Sequence, residues 1–140
     1  MAANIDPIFT SVPHIGLGLS TGTANTASDG SGSLADIFTA STNGSRIERI
    51  RYSNAQVTAA ASSASVLRFF ITDTSGLNPK LLCEVTIPAA TRTVSAVGAG
   101  GTYTFTNGLV IPAGTKIQVG QSVYAGVQDL MHFVVEGGDY

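Results

Sequence analysis

The chain has no tryptophan, one cysteine, two histidines and unusually little charge. Each scarcity removes a class of function. Charged residues make up 11% of the sequence, less than half of the ~25% usual for a globular domain. With seven cations, nine anions and a net charge of −2, the chain projects no field that would gather nucleic acid. A lone cysteine excludes an internal disulfide framework and a cysteine-based metal site. Cys83 alternates with Leu81, Val85 and Ile87 and reads as a small buried hydrophobe. His14 and His132 stand at opposite ends of the sequence with no GxSxG elbow between them, so no serine has an evident base. No closely spaced His and Cys ligands or repeated carboxylates occur, so neither metal nor cofactor is expected. No apolar run approaches the ~18 residues of a membrane span, and Met1–Pro7 has no basic region leading into an apolar stretch.

Ser, Thr, Gly, Ala, Asn and Gln must therefore form most of the surface. Such a surface closes against copies of itself with few charges to desolvate. This favours an assembling subunit over a free monomer.

Two segments precede the main domain. Residues 1–33 read as an extended arm and linker, and residues 34–140 as a β-sandwich. In the arm, Ile5, Ile8 and Phe9 stand among polar residues, while Pro7 and Pro13 disfavour helix. Ile15, Leu17 and Leu19 then alternate with strand period, and Gly16 and Gly18 on the other side permit close approach of another backbone. From Ser20 to Ser33, ten of fourteen residues are Ser, Thr or Gly, a linker composition.

Beyond the linker no window has a convincing helical period, and short strands alternate with turn signals. Strands are expected at Leu34–Thr39, Arg46–Ser53, Val66–Thr72, Leu81–Ile87, Ile117–Val119, Ser122–Val127 and Leu130–Glu136, with an edge strand near Arg92–Val97. In Arg46–Ser53, Ile50 and Tyr52 share a face but Ile47 does not, which calls for a bulge or a two-sided strand. Asn107-Gly108, between Tyr103/Phe105 and Leu109/Ile111, predicts a hairpin. Gly98–Gly101 reads as a flexible loop. Leu67, Phe69 and Ile71 should be core, whereas Val66 and Phe70 on the opposite face must be covered by a loop, an arm or another subunit. Eight or nine strands around one core predict an all-β, two-sheet sandwich wired as a jelly roll.

Three stretches, NGSRIERIRYS (43–53), VLRFFITDTSGLNPKLLCEVTI (66–87) and 108–140 with its LVIPAG turn and EGGDY ending, together cover about 65 of the 140 residues. In this order they resemble small structural proteins of tailed bacteriophages. The resemblance implies a virion component, made in the host cytoplasm and placed on the capsid surface. It would be a decoration or cement protein, trimeric, with itself and the major capsid protein as partners. Ile5, Ile8, Phe9, Val66 and Phe70 are the expected partner-facing residues. A tail, collar or fibre component is the alternative. A third is a carbohydrate-binding module, in which Tyr103 or Tyr124 would contact the sugar.

Overall fold

A computed structural model describes residues 10–55 and 60–140. Ten strands occur among them: β1 (Val12–Leu19), β2 (Ala35–Thr39), β3 (Ser45–Asn54), β4 (Ala61–Ser62), β5 (Ser65–Ile71), β6 (Lys80–Ile87), β7 (Ala90–Thr91), β8 (Gly100–Ile111), β9 (Lys116–Gln121) and β10 (Met131–Asp139). Eight of them form two four-stranded sheets of order β1-β10-β3-β8 and β2-β9-β5-β6, and β4 and β7 make a separate pair. All pairings are antiparallel. The first strand lies beside the last, and the second beside the one before it. This is jelly-roll wiring, in which the chain crosses between sheets by Greek-key connections.

The core fills the space between the sheets. Ile47, Ile50, Leu67, Phe69, Ile117 and Val135 are fully buried, and Phe69 meets Phe133 edge-on at 6.0 Å, an arrangement the ring quadrupoles favour. Each such side chain contributes roughly 1.5–3 kcal/mol by leaving water.

Bulges decide which residues reach that core. Glu48 has no partner on β10, where Glu136 faces Arg49 and Gly137 faces Ile47. It therefore shifts the phase of β3 by one residue and turns both Ile47 and Ile50 inward. A similar irregularity between Asp36 and Phe38 buries the adjacent Ile37 and Phe38.

Four expectations change. Asn107-Gly108 is not a hairpin. It has the positive φ of one, 66° and 73°, but both halves of β8 pair with β3, and residues 105–108 bulge opposite Glu48. The guanidinium of Arg46 donates to the Asn107 carbonyl at 2.8 Å and holds the bulge. Gly100 and Gly101 begin β8 rather than forming a loop, pairing with Ser53 and Tyr52, and the missing side chain at Gly101 leaves room for the Tyr52 ring. In place of an Arg92–Val97 edge strand, only β7 forms. Ser122–Val127 is not a strand either: a 3-10 turn at Val127–Asp129 follows it. There the buried Asp129 carboxylate accepts from the Ser63 and Ala125 amides, both at 2.6 Å.

The division at residue 33 does not separate structural units. β1 pairs with β10 along its whole length, from Val12 opposite Asp139 to Leu19 opposite His132. A Cβ at Gly16 would strike the Ile37 carbonyl and the Phe38 ring, and one at Gly18 would strike Ile37. The glycine face thus seats β1 directly on β2 and closes that edge of the sandwich.

Candidate interaction face

The two sheets present very different outer faces. On the β2-β9-β5-β6 sheet, Phe70 points away from the inter-sheet core yet is 0% exposed. The loop between β1 and β2 lies across this face. The Asn25 amide donates to the Gln121 carbonyl at 2.7 Å, Asn25 and Leu34 stand over Gly120, and Gly30 abuts Pro79. Phe70 lies between these anchors, flanked by Gln118 on β9 and Leu81 on β6.

The linker is shaped by its own polar groups. The Asn25 side-chain amide donates to the carbonyls of Ser31 and Ser33, both at 2.9 Å, and Asp29 accepts from the Ser31 amide at 2.9 Å. Phe70 is thereby withdrawn from any partner, contrary to its expected role. Val66 stays half-buried, and Ile5, Ile8 and Phe9 lie outside the described residues.

Among the described residues, no loop covers the β1 edge of the outer face of the β1-β10-β3-β8 sheet. Along β1, Ile15, Leu17 and Leu19 project outward with exposures of 60%, 74% and 47%. The next strand places Glu136, Val134 and His132 directly beside them, and β3 adds Arg49, Arg51 and Ser53. An aliphatic row at the sheet edge therefore runs parallel to a charged one. Glu136 is clamped by Arg49 and by Arg51, the latter at 3.2 Å. The Arg49 bond, with Arg51, holds its carboxyl below the usual range. A pair so exposed adds little stability but fixes the cationic side chains beside the row.

A groove of about 770 Å³ opens on the same face. Arg51, Ser53, His132 and Val134 belong to its wall, and Arg92 and Val97 of the loop after β7 rise over it. Among the described residues, its lining holds no acidic side chain. Neither tyrosine expected to meet a sugar lies there. Tyr103 packs edge-on against Phe105 at 5.1 Å, close to Cys83, whose thiol burial pushes up to about 11. Tyr124 covers Gly22.

Cys83 is half-buried against the core, but its partners in the expected alternation split. The register shift between Phe69 and Phe70 leaves Leu81 41% exposed and turns Leu82 toward the core.

No spacing pattern in the sequence links His14, Ser45 and Asp139. Both bond the same carboxylate oxygen of Asp139, His14 Nδ1 at 2.8 Å and Ser45 Oγ at 2.5 Å. The imidazole also lies 4.4 Å from the Phe38 ring. Burial raises the Asp139 pKa, but the Ser45 and His14 bonds outweigh it and the net shift is downward. Proton relay to a serine requires the imidazole between hydroxyl and carboxylate. Here the carboxylate is in the middle, so the trio acts as a clamp joining β1, β3 and β10.

Among the described residues, no group of three or more His, Cys, Asp or Glu could hold a metal, and no helix is long and apolar enough to cross a membrane. No family model matches the chain, and no match is found among curated proteins or solved structures.

Proposed function

We propose that this chain is a structural subunit of a tailed-phage particle, a capsid decoration or cement protein that staples neighbouring major capsid subunits. The observation that carries the reading is the aliphatic row Ile15, Leu17 and Leu19, left open on a sandwich whose opposite face is sealed by its own loop. Exposed apolar rows rimmed by polar residues mark contact sites. A surface poor in charge lowers the cost of closing them, and the resemblance of three sequence stretches to phage structural proteins points to the particle as the setting. Many repeated weak contacts around a shell would act together against internal pressure.

The test is to purify particles with and without the chain. Hundreds of copies per particle, and rupture at lower temperature when the chain is omitted, support the reading. A handful of copies with lost adsorption would move the chain to the tail or fibre. Failure to copurify with particles at all would sink both placements.

A further inference from the structure

The strands that end a sheet present unpaired backbone groups on their outer side, and proteins guard such edges with bulges, charges or short strands. The two large sheets end in β1, β8, β2 and β6, and three of these are guarded. β2 is five residues long and bulges at Ile37, between Asp36 and Phe38. β6 bulges at Leu82 and carries Glu84, which is held by Arg68. β8 is interrupted by residues 105–108, with the Arg46 guanidinium seated on the Asn107 carbonyl. β1 has none of these devices. It pairs for eight residues with no shift in register, and its one titratable side chain, His14, is tied to Asp139 and packed on Phe38.

The ladder decides which backbone groups of β1 point over that edge. The Ser20 amide donates to the Met131 carbonyl at 2.9 Å, at the next step of the register that sets Leu19 opposite His132. On the far side of β10 the Ala55 amide donates to the Leu130 carbonyl at 2.7 Å, which leaves the backbone groups of Met131, Phe133 and Val135 to face β1. Antiparallel partners alternate between bonded and non-bonded pairs. Gly16 and Gly18 therefore bond β10, while the N–H and C=O of Ile15, Leu17 and Leu19 aim outward. These are the same three residues whose side chains form the exposed row. The glycines, pressed on Ile37, fix the strand in place, so a partner strand meets an edge that is already ordered.

We propose that β1 of one copy pairs antiparallel with β1 of a second copy across a two-fold axis at Leu17, joining two four-stranded sheets into one. In this register Leu17 opposes Leu17 of the second copy, and Ile15 opposes its Leu19. Each opposed pair exchanges two main-chain bonds, and all six aliphatic side chains meet on one face. A shift of two residues one way would set Pro13, which lacks an N–H, against Leu19, and a shift the other way would set Ile15 against the polar Thr21. The edge is thus complementary to itself, and with no charged side chain on β1 no like charges are opposed. A two-fold contact uses up both edges and closes. Each row offers on the order of 300 Å², so the pair belongs to the weak, concentration-dependent class and gains strength where many copies are held together. The inference rests on the reading of the chain as an assembling subunit and names the contact.

The experiment uses the full chain on a Cys83→Ser background with dibromobimane, which bridges only thiols a few ångströms apart. Leu17→Cys alone should give a bridged dimer, about tenfold above Ile15→Cys alone, because two copies of position 15 stand roughly 13 Å apart along the paired strands. Mixing Ile15→Cys with Leu19→Cys should restore the product. Leu17→Pro removes the outward N–H and leaves the bonds of Gly16 and Gly18 to β10. It should weaken dimerisation in sedimentation by about tenfold or more, since two hydrogen bonds are lost, with the circular-dichroism melt of the sandwich retained. Deleting residues 2–9 should leave the dimer in place.

The proposal is overturned if Leu17→Cys gives no more product than Ile15→Cys, or if the wild-type chain stays monomeric up to about 1 mM, the limit of weak specific association. It is equally overturned if a folded Leu17→Pro chain dimerises as the wild type does, or if deleting residues 2–9 abolishes the dimer, which would assign the edge to that segment. Should Leu17→Pro fail to fold, the cross-linking pattern decides alone. These outcomes are separate from particle location. Chains found in particles without strand pairing would remove this inference alone, and strand pairing in a chain never found in particles would remove only the virion reading.

Discussion

The two outer faces of the sandwich answer the same physical problem in opposite ways. Each carries apolar side chains pointing away from the core, Phe70 on one and Ile15, Leu17 and Leu19 on the other. On the first, the loop of residues 20–34 crosses the sheet and Phe70 is completely buried. On the second, the described residues leave the β1 row without such a cover, and Leu17 is 74% exposed. An apolar residue on the outside of a strand thus signals a cover, but not whose chain supplies it.

The comparison can be broken most severely at Phe70. Phe70→Ala should cost about 3–5 kcal/mol, the loss expected for a buried aromatic side chain that leaves a cavity, read as a shift of the urea midpoint. A loss under about 1 kcal/mol would mean that the loop does not seal this face. Removing the loop's anchor should cost less. Asn25→Ala leaves the Ser31 and Ser33 carbonyls without their donor, and about 1–3 kcal/mol is expected, with faster amide exchange confined to residues 20–34 and β5.

The turn beside that loop supplies a pH test. Asp73 accepts from the Ser75 and Leu77 amides and from the Ser75 and Asn78 side chains. The Ser75 and Asn78 bonds come first among the causes that lower its pKa from 3.8 to about 2. A carboxyl held below its unfolded value contributes stability above that value and loses it as pH falls through the folded one. Asp73→Asn should therefore flatten the decline in melting temperature between pH 3.8 and about 2, the window of that shift. An unchanged acid limb would contradict the assignment. The smallest effect belongs to the open face: Leu17→Ser should change the stability of the separated monomer by no more than about 0.5 kcal/mol.

Much of the fold was legible in the residues. Period-two alternation at Leu67/Phe69 and Met131/Phe133/Val135 named core positions correctly, because burial between sheets enforces it. The glycines of β1 correctly announced a close backbone approach. Bulges were the main obstacle. Ile47 and Ile50 demanded one, and Glu48 supplies it, but nothing local distinguishes the Asn107-Gly108 bulge from a hairpin turn, since both use the same left-handed pair. Only the partner strand decides, and partners are non-local.

The candidate site was legible in part for the same reason. Alternation marked Ile15, Leu17 and Leu19 as one face of a strand but not as an exposed contact row, and the outward side of Phe70 could not reveal that a Ser/Thr/Gly-rich linker would fold over it. The His14–Asp139–Ser45 clamp joins residues as far as 125 positions apart, and no spacing rule reaches that distance.

The central claim is that the β1 face is the contact surface and the loop-covered face is not. Carbene footprinting of the protein across its assembly range tests this directly. The account predicts that labelling of Ile15, Leu17 and Leu19 falls as the protein assembles, while Leu77 and the loop of residues 20–34 keep their labelling. Protection of the loop face, with the β1 row still labelled in the assembled form, would contradict it.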